Sequence, residues 1–482
     1  MALTQQLKNW SRSLHFVACA FLIIGVCCSK FLMSMGLLLG GLSFVTSGEI
    51  NSSLKRLIKN PFFLMLGGFY FLHLMGLIWS DNLSYGFNDI RQKSSLLIIP
   101  IILLSRSDWG IQKIDRLLIL FLATLFITSL INFITYTFFK GEMALIDIRS
   151  MSLFESHIRF GILIGLGSGV ALYFIGKYST YKILLIVLIV WFGVYSYQSQ
   201  VLSGILSYVI SLVTFLLFYS KKYKNNFAFY SLITLPFCCL IGLIFYFQSP
   251  VEYSEVGAAN TSSLEKAWNN RSTIKYLGKD AKDQSIKYTL IRYLDSKKLQ
   301  LDSTGINSLS KDDIQNIELG YADVRETQGG IPARLFSIRY EIQHPGNPNL
   351  HPITERLELW ENAWYTIKKT PFLGVGNGDV HDALQVSYNE RKSELTTERR
   401  LRAHQSYLTF WLSFGIIGLF AFIWLQGYFI LRAVKSAQLV ALCFGLIALC
   451  TFLFEDTLES QAGITFFAFF YSLFSIHLSK HK

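Results

Sequence analysis

Apolar residues in this chain run in long, nearly uninterrupted stretches from residue 14 to 247 and again from 405 to 477, with one long polar segment, 248–403, between them. Each run approaches the ~20 residues that an α-helix needs to cross a bilayer. Length and hydropathy place spans at 14–28, 31–47, 62–79, 94–105, 117–139, 158–176, 183–198, 201–220, 227–247, 405–431, 437–454 and 461–477, about twelve in all. The run at 94–105 is short and carries Pro100, and 183–220 could be divided differently. The first run could be read as a signal peptide. It is followed at once by another span and has no small-x-small cleavage site, so it reads as a helix.

The polar segment shows helical and turn signals and no strand alternation. Ser285 to Ser296 and Asp312 to Leu319 read as amphipathic helices, and Gly346-Asn347-Pro348-Asn349 reads as a turn. A strong helix follows from Thr354, its expected N-cap, through Glu355-Arg356-Leu357-Glu358-Leu359-Trp360, and Pro371 stops it. The pattern therefore predicts an all-α polytopic membrane protein in three parts. These are an N-terminal bundle of about nine spans over 1–247, a large and mainly helical loop domain over 248–403, and about three C-terminal spans over 404–482.

Composition agrees: 52% of the 482 residues are hydrophobic and only 16% charged, against roughly a quarter charged in a soluble domain, and the mean hydropathy is +0.39. The net charge of +12 does not imply nucleic-acid binding, because loops on the cytoplasmic side of membrane proteins are rich in Lys and Arg. One alternating set of loops holds Lys8, Arg12, Lys55, Arg56, Lys59, Arg106, Lys113, Arg116, Lys177, Lys182, Lys221, Lys222, Lys224, Arg432, Lys435, Lys480 and Lys482. The other holds Asp81, Asp89, Glu142, Asp147, Glu455, Asp456, Glu459 and the polar segment, with Lys30 as an exception. Both termini are thus expected inside and the large loop outside. All seven cysteines fall in apolar spans, so neither a disulfide nor a zinc site is expected.

Candidate chemistry gathers where the polar segment meets the next span, at Leu401-Arg402-Ala403-His404-Gln405-Ser406, which runs on to Gly415-Ile416-Ile417-Gly418. An imidazole at the mouth of an apolar helix can meet both water and a membrane-bound substrate. The turn Gly374-Val375-Gly376-Asn377-Gly378-Asp379 lacks the Lys-Ser/Thr ending of a phosphate loop and follows no strand, so it is not read as a nucleotide site. His73, inside the third span, reads as an interhelical core histidine.

The ordered set of Arg356-Leu-Glu-Leu-Trp360, Pro371-Phe-Leu-Gly374-Val-Gly376-Asn-Gly378-Asp379 and His404-Gln405 resembles the periplasmic half of the O-antigen ligase and O-antigen polymerase superfamily. Glu455-Asp456-Thr457-Leu458-Glu459-Ser460-Gln461-Ala462-Gly463 resembles the outward loop of Bacteroidetes-type members, and Ser156-His157-Ile158-Arg159-Phe160 the start of a middle helix in that group. Arg292-Tyr293-Leu294 with Asp312-Asp313-Ile314 resembles their shared insertion. In one departure, Gln198-Ser199-Gln200-Val201-Leu202-Ser203-Gly204 has no Arg where many members carry one. Either Arg159 supplies that charge or the site is built differently.

The resemblance implies a GT-C-like glycosyltransferase of the bacterial inner membrane that uses no metal or other cofactor. It would take a glycan from undecaprenyl pyrophosphate to a hydroxyl of lipid A-core, of another glycan unit or of a protein. Arg356 and then Arg159 are the expected phosphate ligands, with Arg402 and Arg91 as outer candidates, since a guanidinium binds phosphate oxygens bidentately and stays charged. His404 would act as general base or hold substrate, with Gln405 beside it, and Glu455 and Glu459 would orient an arginine or sugar hydroxyls. A transporter or flippase would also be polytopic and basic, but it would carry internal repeats and mid-membrane charges. Reporter fusions at residue 300 and at the C-terminus test the topology: the first should report an outward location and the second a cytoplasmic one, and cytoplasmic activity at residue 300 would overturn the outward site.

Overall fold

The computed structural model describes residues 2–139, 148–253 and 259–479, leaving aside the side chains of 2–7 and 149. The expected outward charges Glu142 and Asp147 and the expected inward charges Lys480 and Lys482 lie outside the described residues. Every extended element described is a helix, and nine helices among the described residues are long and apolar enough to cross a membrane. The protein is a multi-pass membrane protein. Three of the apolar runs in the sequence give something shorter or bent. Ser95–Leu104, around Pro100, has ten residues, Leu439–Thr451 has thirteen, and Lys30–Thr46 bends by 112° into Ile50–Ile58 at Gly48, whose φ is +66°.

The helices are α1 (Ala2–Cys28), α2 (Lys30–Thr46), α3 (Ile50–Ile58), α4 (Pro61–Gly76), α5 (Leu83–Lys93), α6 (Ser95–Leu104), α7 (Ile111–Phe139), α8 (His157–Lys177), α9 (Lys182–Ser199), α10 (Leu202–Lys222) and α11 (Asn226–Gln248). The polar segment adds α12 (Thr261–Asn269), α13 (Ile286–Ser296), α14 (Ser303–Asn307), α15 (Lys311–Glu318), α16 (Val324–Thr327), α17 (Gly330–Gln343), α18 (Pro352–Lys369) and α19 (Val380–Glu390). The chain ends in α20 (Ser406–Lys435), α21 (Leu439–Thr451) and α22 (Gln461–Leu478). They form two compact units, one of residues 1–233, 362–387 and 402–482, the other of 234–361 and 388–401.

The first unit is built around α22, in which sixteen of eighteen residues are buried. A helix apolar on every side must be covered on every side, and Phe466, Phe467, Phe470, Tyr471 and Phe474 meet aromatic rings of α4, α7, α20 and α21. Nearby, α8 lies against α10 through small residues. A Cβ on Gly161 would stand 2.9 Å from Gly204 Cα, one on Gly165 2.3 Å from Ser207 Cβ, and the Ser211 hydroxyl donates to the Gly165 carbonyl at 2.8 Å. Small residues let helix backbones approach where lipid offers no hydrophobic drive to pair them. By contrast α11, apolar throughout, has no buried residue.

The second unit has its own core of Trp268, Tyr276, Leu290, Tyr293, Leu294 and their neighbours. Ser310 and Asp313 form a capping box that starts α15, and Asp313 also accepts from Tyr293 at 2.8 Å and Lys297 at 2.8 Å. The residues that resemble a shared insertion are thus the unit's packing and capping residues. α18 begins at Pro352, two residues before the expected cap Thr354, with the Glu355 N–H donating to the His351 carbonyl. Proline at the first helical position has no N–H to lose and a φ already set for helix.

The expected continuous span 405–431 is broken. Within α20, Phe414 (φ −128°, ψ 15°) and Gly415 (φ 63°, ψ −159°) leave the helical region. The break, buried within the protein, frees backbone groups that need new partners. The stretch 371–376 satisfies them: Val375 N–H donates to Leu412 O at 2.9 Å, Gly376 N–H to Ser413 O at 2.9 Å, and Ile416 N–H to Pro371 O at 2.9 Å. This docking leaves no room for side chains. A Cβ on Gly374 would be 2.5 Å from Gly415 N, and one on Gly415 would be 2.0 Å from Phe372 O. Gly415→Ala should therefore destabilise the folded protein by at least ~2 kcal/mol, from a glycine-only backbone region plus overpacking. Gly427→Ala, in the same helix with nothing near its Cβ, should stay within ~1 kcal/mol. Melting curves of both variants in one detergent check this.

Candidate functional site

The site is assembled from the glycine-rich turn outward. Beyond the docked stretch, Gly378 N–H donates to Ser80 Oγ at 3.1 Å, and the Asp379 carboxylate accepts from the backbone N–H of Asp81 at 2.9 Å and of Asn82 at 2.7 Å. The Asn82 side chain then caps α5 by accepting from Tyr85 N–H. This turn, which superficially looks like a phosphate cradle, fixes where α5 starts. α5 in turn presents Tyr85, Asp89 and Lys93 to the interior of the first unit.

Lys93 is 2% exposed, an uncommon state for a lysine. Its Nζ lies 2.5 Å from Asp89 Oδ1 and 2.8 Å from Glu459 Oε1. Arg402 pairs with the other oxygen of Glu459, donates to the Tyr85 hydroxyl at 2.9 Å and lies 3.8 Å from Asp89. Gln92 Nε2 donates to the Glu459 carbonyl at 2.8 Å, and Asn377 Nδ2 to Asp89 at 3.3 Å. Burial works against the Lys93 charge, but Asp89 and then Glu459 outweigh it and hold the ammonium above its ordinary pKa. Two cationic and two acidic side chains thus meet in a largely buried place, where each faces a partner of opposite sign.

His404 follows Arg402 by two residues and takes a φ of +48°, a left-handed backbone that non-glycine residues seldom adopt. The neighbouring backbone is held on both sides. Before it, Arg402 is fixed by Glu459 and Ala403 is buried. After it, the Gln405 side chain caps α20 by accepting from Leu408 N–H at 2.5 Å. Ser406 N–H donates to Phe452 O at 3.0 Å, its hydroxyl to Glu455 O at 2.7 Å, and Thr409 Oγ1 to Asp456 Oδ1 at 2.8 Å. One segment, 452–459, therefore anchors both flanks of His404.

Of the residues singled out in the sequence, His404, Arg402, Gln405, Glu455 and Glu459 come together here. Glu459 pairs with Arg402, and the Gln405 side chain caps α20. Arg91 stands apart. It donates to Asn88 at 2.7 Å and lines an open cleft with Asn82, Ser84, Tyr85, Phe87 and Asn88. Arg159 pairs with Glu155 at 2.7 Å and borders a narrow, mostly apolar cavity with Val26, Ile162, Leu163, Phe466 and Thr457. Arg356 belongs to the second unit, on α18, where its neighbours Glu355 and Glu361 pair with Arg399 at 2.9 Å and Arg391 at 2.5 Å. Lys93, Asp89, Tyr85 and Thr409 were not singled out; the spacing of Asp89 and Lys93 by four on one helix was the available signal. His73 is buried as expected, with Nδ1 2.9 Å from Phe69 O and its ring against Phe69, Phe410 and Phe414. Among the described residues, no group of three His, Cys, Asp or Glu could hold a metal ion.

The Asp456 carboxyl is pushed up to about 7, first by burial and then by the charge of Glu459, against the pull of the Thr409 hydroxyl. The folded state keeps this proton to a higher pH than the unfolded chain does. The stability it contributes is full below the ordinary carboxylate pKa near ~4 and is lost as pH rises through about 7. The melting temperature in detergent should accordingly fall between about pH 4 and 8, and Asp456→Asn should flatten that fall. A pH series of melting curves for both proteins checks it; an unchanged slope in the variant would contradict it.

A family model described as O-antigen ligase matches residues 185–423. That stretch holds Arg356, the glycine-rich turn, the 402–405 turn and the break in α20. No curated protein matches the chain. Combined with the multi-pass helical fold, the match shows that the chain belongs to the O-antigen ligase and polymerase superfamily of membrane glycosyltransferases.

Proposed function

We propose that this protein is an O-antigen ligase of the inner membrane, moving a glycan from undecaprenyl pyrophosphate to a hydroxyl of lipid A-core on the periplasmic face. The observation that carries this reading is the clamped turn at Arg402, His404 and Gln405 inside the stretch that matches the family. In the reaction the acceptor oxygen bonds to the anomeric carbon, the bond from that carbon to the pyrophosphate oxygen breaks, and undecaprenyl pyrophosphate leaves. The hydroxyl proton must go to a base, and His404 is assigned that role, since a neutral imidazole nitrogen can accept it.

Cations must neutralise the pyrophosphate as it leaves. Arg356 is assigned to it on the resemblance of its motif. Arg159, which pairs with Glu155 at 2.7 Å, is assigned as the second ligand on the resemblance of its own motif. Arg402 and Arg91 are outer ligands, and Glu455 and Glu459 orient the arginines or sugar hydroxyls. The donor already carries its leaving group, so the proposed reaction requires neither nucleotide nor divalent metal. The basic loops support cytoplasmic termini and a periplasmic position for the polar segment.

The test uses membranes with matched amounts of folded protein and lipid-linked glycan as donor. His404→Ala should lower transfer by ~10²–10⁴ as expected for a lost general base, and Arg356→Ala by ~10²–10³ as for a lost electrostatic group. Arg356→Lys should recover little, because the bidentate fork is gone. Deleting the gene should strand full-length chains on the carrier. Single units left on lipid A-core would instead identify a polymerase, and loss of glycan from protein a protein O-oligosaccharyltransferase. Near-normal transfer in both alanine variants would place the active site elsewhere.

A further inference from the structure

We propose that Lys93 and Glu459 are positioning residues that hold the backbone of His404 in its left-handed conformation by fixing Arg402. The inference deepens the proposed function and rests on its assignment of His404 as the base.

A lysine buried this deeply is costly unless its charge is met, and packing alone would be served as well by an apolar residue. Here its charge is met by Asp89 one turn earlier on α5 and by Glu459 from the segment between α21 and α22. The second oxygen of Glu459 is then committed to Arg402, so the ammonium and the guanidinium share one carboxylate between two elements far apart in sequence. Tyr85, also on α5, takes the other end of the guanidinium. Arg402 thus cannot shift without breaking contacts to both α5 and the 452–459 segment. The opposite flank of His404 is tied to the same segment through Ser406 and Thr409.

A left-handed non-glycine residue persists only where its surroundings over-determine it. The charge chain supplies the constraint on the N-terminal flank, where the backbone of 402–404 makes no helix of its own. Neither Lys93 nor Glu459 needs to touch the reacting atoms. Their contribution is to keep the imidazole where proton transfer can occur, a requirement so strict that a displacement of ~1 Å can cost ~10²-fold in rate.

Lys93→Met, Glu459→Gln, the double variant and His404→Ala are compared in membranes, with transfer measured against donor concentration per folded molecule. Lys93→Met should lower the maximal rate by ~10–100-fold with the half-saturating donor concentration changed less than ~3-fold. Glu459→Gln, which keeps the volume and removes a charge, should behave alike and decides the matter if Lys93→Met does not insert. The double variant should be no worse than the poorer single one, because both act through one chain of contacts. A purely structural role would lower the yield of folded protein and leave turnover per folded molecule intact. Turnover within ~3-fold of the native protein in Glu459→Gln, or a loss confined to weaker donor binding, would overturn the inference while an inactive His404→Ala left the proposed function standing. An active His404→Ala would overturn the assignment of the base, and the positioning role with it.

Discussion

A broken helix inside a protein must find new partners for the backbone groups it frees, and that constraint organises much of the first unit. The break at Phe414 and Gly415 leaves carbonyls and an N–H that the protein itself must meet, and the stretch from Pro371 to Gly376 meets them. Once that stretch is docked, the residues after it have little choice of path. Asp379 reaches the backbone of Asp81 and Asn82, α5 begins at a defined place, and its buried face brings Asp89 and Lys93 to Glu459 and Arg402. The glycines of the motif earn their positions through contact distance: each stands where a Cβ would strike backbone or a close side chain.

The charges follow a complementary logic. An isolated ion in this environment would neutralise or drag the structure open, but Lys93, Asp89, Glu459 and Arg402 form a closed set in which each faces an opposite sign. Asp456, one turn away from Glu459 and without a cation bonded to it, escapes ionisation by keeping its proton to about pH 7. Two buried carboxyls of one small region are thus moved in opposite directions: burial acts against both charges, but Lys93 holds Asp89 below the usual carboxylate range while Asp456 is pushed up.

Much of the fold was legible because apolar run length maps directly onto helices, and helices over 158–176, 201–220 and 461–477 appear close to where hydropathy puts them. The exceptions have local causes. Pro100 lies in a helix of ten residues, Gly48 turns α2 into α3, and the break in α20 is invisible to hydropathy because Phe414 and Gly415 are as apolar as their neighbours. At the site, His404 and Arg402 stood out through their position and motif, and Glu459 through its crowded loop. Lys93 did not, because an i,i+4 pair with Asp89 on a short helix looks solvated until the distant Glu459 is known to close over it. The left-handed turn at His404 had no sequence signal at all, since its cause is tertiary.

The contrast between α11 and α22 has a consequence for how much of this chain a cell must inherit faithfully. α11 has no buried residue and is held by side chains chiefly near its end, where Arg339 lies over Tyr246 and Gln343 donates to the Phe247 carbonyl, so most of its positions ask only for an apolar residue. α22 is enclosed on every side, and each of its rings must fit the shapes around it. The same number of letters therefore carries very different amounts of structural information in the two helices: one can drift almost freely within an apolar alphabet, while the other can change only in concert with its neighbours.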